Sequence, residues 1–172
     1  MKVSKLVILS VFLIASIIVN YFFYSENNGF KIGQGAEYQS TIRQAIFNLD
    51  KSEFSYVVDE LEVGNHLPFE NWKRDIAFIN SELQKTGNIN FKLLGDHLNH
   101  IPKQVEELTD KNVGYENEIK VIRSQILFFF ETLNKVEADL DEDQMKWYRE
   151  ISNDQSKTSK YVEKRLKTII KY

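Results

Sequence analysis

Residues 115–140 read YENEIKVIRSQILFFFETLNKVEADL and contain the most regular hydrophobic pattern of the chain. Apolar side chains follow one another at alternating steps of four and three residues: Tyr115, Ile119, Ile122, Ile126, Phe129, Leu133, Val136 and Leu140. This heptad repeat predicts one long α-helix with an apolar seam. Because Leu127, Phe128 and Phe130 widen the seam in its middle, we expect the helix to pack against more than one neighbour. One helix of an intramolecular bundle is the favoured interpretation, and a dimerising coiled coil is the alternative.

Four shorter segments before residue 115 also place apolar residues three and four apart. The first predicts a helix over about 37–62, with a bend or a break near 50–52, where the pattern skips a position. Pro68 suits the first turn of a second helix, and Gly87 suits its C-terminal cap. A third helix should end at Pro102, and a short helix around residues 105–108 should follow it.

The segment beyond the heptad helix predicts one more helix, from about Met145 to the C-terminus. Asp141 and Gln144 have the spacing of a capping box, which favours a helix start at this point. The polar stretch 152–160 predicts either a loop or an exposed face. No convincing stretch alternates with a period of two, so we expect an all-α domain over 37–172, a bundle of about four main helices.

Residues 6–24 read LVILSVFLIASIIVNYFFY and carry no charge. A helix of this length spans about 28 Å, which matches the hydrocarbon core of a bilayer. We therefore expect a transmembrane helix over 6–24. An uncleaved signal-anchor is favoured over a cleaved secretory signal, because the run ends in bulky side chains where signal peptidase needs small ones. Secretion after cleavage and a buried core helix are the alternatives.

The charges that flank this span predict its orientation. Lys2 and Lys5 precede it, and Glu26 is the first charge after it. Since basic residues stay on the cytoplasmic side, residues 1–5 should be cytoplasmic and the rest of the chain should lie outside the cell membrane. Three glycines within 29–35 predict a flexible tether over 25–36 between the anchor and the domain.

Composition excludes several classes of function. The 172 residues contain no cysteine, which excludes disulfides, thiol catalysis and thiolate metal sites. The net charge of −3 gives no reason to expect a nucleic-acid partner. This average conceals a polarised chain. Residues 26–156 include 14 basic and 24 acidic residues, whereas 157–172 include six basic residues and one acidic residue. The basic tail could dock on the acidic body, lie on anionic lipid or meet an acidic partner, or it could simply be a solvated helix face.

Four acidic residues have the spacing of EF-hand calcium ligands at loop positions 1, 3, 5 and 12: Asp139, Asp141, Asp143 and Glu150. Gln144 stands where the loop needs glycine for its sharp turn, and Lys146 stands where an apolar side chain normally packs. We therefore expect these carboxylates to serve an acidic helix start and not a calcium ion.

His97 and His100 are three residues apart beside Asp96, a spacing that could bring a divalent metal to one face of a helix. A polar helix end before Pro102 explains the same residues, and it is the favoured interpretation. No Glu lies three residues before any histidine, as a di-iron bundle would need. We predict no metal site.

The chain lacks a glycine-rich phosphate loop, a nucleophile elbow and an H-E-x-x-H motif, so we predict no catalytic site and no cofactor. The remaining features predict a membrane-anchored helical protein that binds a protein partner, or its own copy as a homo-oligomer, outside the cytoplasm. Such a protein would act as an accessory subunit, adaptor, immunity factor or assembly factor. The alternative is an extracytoplasmic sensor domain that binds a metal or a small ligand.

Overall fold

The computed structural model describes residues 5–109 and 116–169, and every regular element in these ranges is an α-helix. The helices are α1 (Lys5–Asn48), α2 (Lys51–Glu62), α3 (Leu67–Lys85), α4 (Ile89–Thr109), α5 (Glu116–Leu140), α6 (Gln144–Ile151) and α7 (Lys157–Ile169). The all-helical prediction is confirmed. The described residues form seven helices where the sequence predicts about four main ones, in part because the first and last predicted helices each divide in two.

Helix α1 has 44 residues and is therefore about 66 Å long. Residues 9–27 are exposed, whereas one face is buried from Gly35 onward. The interval 25–36, where the sequence predicts a flexible tether, is helical throughout and differs from that prediction. Glycine at 29 and 33 weakens a helix by only about 1 kcal/mol each, and helical residues on both sides make propagation through them favourable.

Helices α3, α4 and α5 alternate in direction, and α3 and α5 run antiparallel to α1. Trp72 Nε1 at the start of α3 donates to the Asn48 carbonyl at the end of α1, over 2.8 Å. Helix α5 also runs against α1, since Glu137 near its C-terminus pairs with Arg43 at 2.7 Å. The α1–α2 junction and the start of α5 thus lie at the end farther from residues 5–24, here called the distal end. Helix α6 and the turn between α3 and α4 lie at the opposite, proximal end.

The heptad seam of α5 lies inside this chain's own core. Six of its residues are 3% exposed or less: Ile122, Ile126, Phe129, Leu133, Val136 and Leu140. They join one hydrophobic cluster with side chains from every other helix, while Ile119 is partly buried against that cluster. Tyr115, the first residue of the predicted seam, lies outside the described residues. The packing therefore matches the interpretation of α5 as one helix of an intramolecular assembly.

Several helix ends follow the sequence signals. Asp50 is the N-cap of α2, and its carboxylate accepts a hydrogen bond from the Ser52 amide at 2.8 Å. This cap explains the skipped position of the apolar pattern, because α1 and α2 are separate helices. Pro68 lies in the first turn of α3, and Gly87 follows the end of that helix with a φ of +76°. Both predictions are confirmed.

Two predicted ends are wrong. Pro102 lies inside α4, which continues to Thr109. Proline removes only the bond to the Leu98 carbonyl, and Ile101 and Val105 remain on the buried face, so core packing holds the helix together. The N-cap of the next helix also lies two residues later than the predicted capping box, because Asp143 caps α6 by accepting from the Lys146 amide at 3.0 Å. Asp141 adopts a φ of +56° in the turn between α5 and α6.

The polar stretch after α6 is a loop over 152–156, and its remaining residues begin α7. Ser156 lies at the start of that helix, where its hydroxyl accepts from the Ser159 amide at 2.9 Å. The single predicted C-terminal helix is therefore two helices, α6 and α7, which pack against each other.

Asn88 joins three helices at the proximal end. Its side chain is fully buried, and its oxygen caps α4 by accepting from the Asn90 amide and also accepts from the Ser159 hydroxyl, both at 3.0 Å. Replacing Asn88 with alanine should lower the free energy of unfolding by about 1 to 2 kcal/mol, because the lost cap and the buried donors left unpaired outweigh the removal of the Asn88 amide nitrogen, which is buried with no hydrogen-bond partner among the described residues. Thermal unfolding of the full chain in detergent, followed by circular dichroism, measures this loss. Asn99→Ala, on α4, is the matched control. Equal stability of the two variants would contradict the role of Asn88.

Candidate docking groove

A groove of about 260 Å³ opens at the distal end between α2 and α5. Its lining comes from the α1–α2 junction, the first turns of α2 and the middle of α5: Leu49, Asp50, Lys51, Phe54, Ser55, Arg123, Ser124, Ile126, Leu127 and Phe130. The surface of the groove is mostly apolar, although half of its ten lining residues are polar or charged. Such a concave apolar surface with a few polar groups is the usual form of a binding site.

The groove exists because α2 packs on α3 more than on α5. Phe54 of α2 lies against Trp72 of α3, with ring centroids 5.5 Å apart. Trp72 also lies near Phe69 of the same helix, with ring centroids 6.3 Å apart. The apolar face of α2 is therefore directed toward α3. The extra apolar residues of α5 therefore face a gap, and Leu127 and Phe130 line it.

The floor and the walls of the groove differ in exposure. Leu49, Phe54 and Ile126 form a floor that is 3% exposed or less, whereas Leu127 on the wall is 53% exposed. Phe47 is 66% exposed and lies one helical turn beyond Arg43, on the face of α1 that looks toward α5. Large exposed apolar side chains beside a groove are candidates for contact with a partner.

Two cations stand at the rim, Lys51 and Arg123. Neither forms an ion pair with any residue in the described ranges. The one carboxylate of the groove, Asp50, is engaged in capping α2, and hydrogen bonds from the Ser52 hydroxyl and amide lower its pKa. Because a lowered pKa keeps Asp50 ionised, the three charged residues of the groove carry a net charge of +1.

A polar network fixes α1 against α5 below the groove. Arg43 bridges Glu137 and Glu142, and Gln39 donates to Glu142 at 2.9 Å. The hydrogen bond from Arg43, followed by that from Gln39, lowers the pKa of Glu142. These contacts are largely exposed and contribute little to stability, but they fix the relative position of the two helices that form one wall.

Three of the four carboxylates with EF-hand spacing have separate partners, and that of Asp139 pairs with Lys135. Asp143 caps α6, and Glu150 accepts from the Thr158 amide of α7 at 3.0 Å. Lys146, the residue that departs from the calcium pattern, donates to the main-chain carbonyl of Asp139. Across 5–109 and 116–169 no group of three or more His, Asp and Glu side chains is placed to hold a metal ion.

The histidine pair lies on the outer surface of α4. His97 is partly exposed and His100 is exposed. The neighbouring Asp96 is engaged elsewhere, since it accepts from Gln84 of α3 at 2.8 Å. The structure thus keeps the two imidazoles on one helix without assembling further ligands around them.

The basic tail is partly docked on the body. Arg165 of α7 lies 4.2 Å from the ring centroid of Phe128 and donates to Thr132 at 3.1 Å and to Glu131 at 3.2 Å. Val162 and Leu166 are buried in the core. Four lysines of α7 remain on its exposed side: Lys157, Lys160, Lys164 and Lys167. Lys171 lies outside the described residues.

No known protein family matches the chain, and no curated protein or solved structure resembles it. Functional inference therefore depends on the chain's own residues. Among these, Lys51 and Arg123 carry no sequence signal that distinguishes them from other surface cations. Leu127 and Phe130 do carry one, because they depart from the heptad seam.

Proposed function

We propose that this protein is a single-pass membrane protein whose helical domain binds another protein outside the cytoplasm, as an accessory subunit, adaptor, immunity factor or assembly factor. The observation that carries this proposal is the distal groove, where exposed apolar side chains meet two cations without ion-pair partners. Within the described ranges no group of three or more His, Asp and Glu side chains is placed to hold a metal ion, which a metal-binding sensor would need.

The membrane part of the proposal depends on α1. Its N-terminal half is long and apolar enough to cross a membrane, and its apolar side chains are exposed instead of packing on the domain. Leaving so many apolar side chains in water would be unfavourable, so a lipid environment for 6–24 accounts for them. Tyr21 and Tyr24 at the end of this span suit the interface of the bilayer.

The same helix that would cross the membrane also forms part of the domain core. Ile42 and Ala45 on its C-terminal half, and Leu49 directly after it, are buried among the other helices. From Tyr24 to Asn48 the helix rises about 36 Å, so the domain would hold its groove well clear of the lipid surface. A groove in that position suits a partner that approaches from outside the membrane.

Orientation is tested by fusing reporters after Tyr172. Alkaline phosphatase should be active and green fluorescent protein dark, because Lys2 and Lys5 hold the N-terminus in the cytoplasm. We expect phosphatase activity at least about tenfold above a cytoplasmic control fusion, and the intact protein should stay in the membrane pellet after alkaline extraction. A fluorescent fusion would contradict the orientation, and a mature protein lacking residues 1–24 would contradict the anchor. The quadruple variant Lys2→Glu, Lys5→Glu, Asn27→Lys and Asn28→Lys should reverse both reporter signals.

Partner binding is tested by chemical crosslinking of the intact protein in its native membranes. A reproducible adduct with a second protein supports the proposal. Recovery of the monomer alone would contradict it.

A further inference from the structure

We propose that a pocket at the proximal end of the domain binds a short primary alkylamine in its protonated form. The pocket has a volume of about 100 Å³ and lies between α1, the C-terminal end of α3 and the last residue of α6; it is here called the proximal pocket. The inference goes beyond the proposed function, because it assigns a small ligand to a site separate from the distal groove. It combines three observations: unpartnered hydroxyl groups, the charge of the rim and an apolar floor.

Two hydroxyl groups of α1 open into the proximal pocket. Tyr38 is 9% exposed and Thr41 is 7% exposed, and both residues line the pocket. Neither hydroxyl has a hydrogen-bond partner among residues 5–109 and 116–169, and both oxygens remain accessible to solvent. Since the polar groups of buried side chains are nearly always hydrogen-bonded, these two oxygens favour a ligand that donates hydrogen bonds inside the pocket.

The charges of the proximal pocket favour a cation. Glu37 is exposed at the rim and accepts a hydrogen bond from the neutral amide of Gln34 at 2.8 Å. Within the described ranges it has no cationic partner. The other carboxylate, Glu82, pairs with Lys85, so two acidic and one basic lining residue give the pocket a net charge of −1. A positively charged ligand would complement this charge, whereas an anion would be repelled.

The floor of the proximal pocket determines the rest of the ligand. Ile42, Leu83 and Ile151 line it and are 1% exposed or less. Exposure increases from these residues to the two hydroxyl-bearing residues and then to Glu37, so a ligand with its ammonium toward the rim would place an alkyl chain on the floor. A cavity of about 150 Å³ holds benzene, and about 100 Å³ therefore holds roughly four or five non-hydrogen atoms. Butylammonium has this size.

Other occupants fit these features less well. A metal ion would need further ligands, and in the described part of the chain no group of three or more His, Asp and Glu side chains is placed to hold one. A carboxylate or a phosphate would meet the two carboxylates of the lining. Water would pair with the hydroxyl groups, but it would leave the apolar floor and the charge of Glu37 without a complementary group.

The test measures the melting temperature of the full chain in a neutral detergent during titration with butylammonium chloride. We expect a saturable rise of about 3 to 6 °C once the amine exceeds its dissociation constant about tenfold. Butanol and sodium butyrate have the same chain length, and at equal concentration and ionic strength each should raise the melting temperature by less than about a third as much. No saturable rise with butylammonium, as expected of a pocket that holds only water, would overturn the inference. An equal rise with butanol or butyrate would also overturn it.

Two variants locate the bound amine. Glu37→Gln removes the rim charge, and Thr41→Val removes one hydroxyl while keeping the shape of the side chain; each should raise the apparent dissociation constant of butylammonium at least about threefold. Each rise in melting temperature is measured from the variant's own value without amine, so a change in basal stability does not affect the comparison. Glu107→Gln makes the same change in charge at an exposed site of α4 outside the pocket, and it should bind the amine as the unchanged protein does. An unchanged dissociation constant in either pocket variant, or an equal loss in the Glu107→Gln variant, would overturn the site.

Discussion

Replacing Gly35 with alanine should lower the free energy of unfolding by about 3 kcal/mol, the upper part of the range for overpacked contacts. The reason is a close approach of two backbones. A Cβ atom at position 35 would lie 1.8 Å from the Gln144 carbonyl oxygen and 3.2 Å from the Tyr148 amide nitrogen. Both atoms belong to α6, so a whole helix must move to admit one methyl group. In a chain of this size we expect the melting temperature of the full protein in detergent to fall by about 6 to 12 °C.

Gly33→Ala is the matched control. Gly33 lies on the same helix two residues earlier, and an added Cβ there would have open space around it. Alanine should stabilise the helix at this position by about 1 kcal/mol, because glycine is the poorer helix former. Changes of opposite sign in the free energy of unfolding of the two variants would support the packing of α6 on α1. Stabilisation by both would contradict it and would favour the tether that the sequence predicts.

Gly35 also illustrates what sequence could not reveal. Three glycines within seven residues predict flexibility because a local pattern contains no information about distant neighbours. The contact with Gln144 joins residues more than one hundred positions apart, and only the assembled fold brings them together. An added Cβ at Gly29 or Gly33, by contrast, would have no such neighbour. The open surroundings of these two residues therefore agree with the sequence pattern.

Local signals with a direct physical cause predicted the structure well. The heptad spacing of α5 identified the six apolar residues of that helix that are most deeply buried, because a helix repeats its faces about every seven residues. Pro68 and Gly87 marked the ends of α3 through their own backbone preferences. The prediction that a helix ends at Pro102 was wrong, because the burial of Ile101 and Val105 outweighs one lost hydrogen bond.

The groove could be predicted only in part. The excess apolar residues of α5 correctly indicated that this helix has more than one contact surface. Phe128 meets Arg165 of α7, whereas Leu127 and Phe130 line the groove. Which of them stays uncovered depends on the angle at which α2 leaves the Asp50 cap, and that angle is a property of the tertiary packing with α3. The cations of the rim acquire their significance only from this geometry.

Replacing Phe129 with alanine should cost about 3 to 5 kcal/mol, the usual loss for a buried phenylalanine. Its ring is 2% exposed, lies edge-on to Phe128 at 5.5 Å between centroids and fills the centre of the heptad seam. We expect the melting temperature to fall by about 6 to 20 °C. Since the seam is packed inside one chain, the loss should not depend on protein concentration. A loss that shrinks when the protein is concentrated tenfold would indicate that the seam joins two copies, as a dimerising coiled coil would require.

Leu127→Ala, two residues earlier, distinguishes the core from the groove. Because that side chain is 53% exposed, its removal should change stability by no more than about 0.5 kcal/mol. The two variants should therefore have different effects. Phe129→Ala should lower stability, whereas Leu127→Ala should leave it unchanged and weaken capture of the partner by the full protein in native membranes. If Leu127→Ala altered neither property, the widened stripe of α5 would be packing surplus and not a binding surface. Its exposure would then need no partner, because single exposed apolar side chains are common on folded proteins.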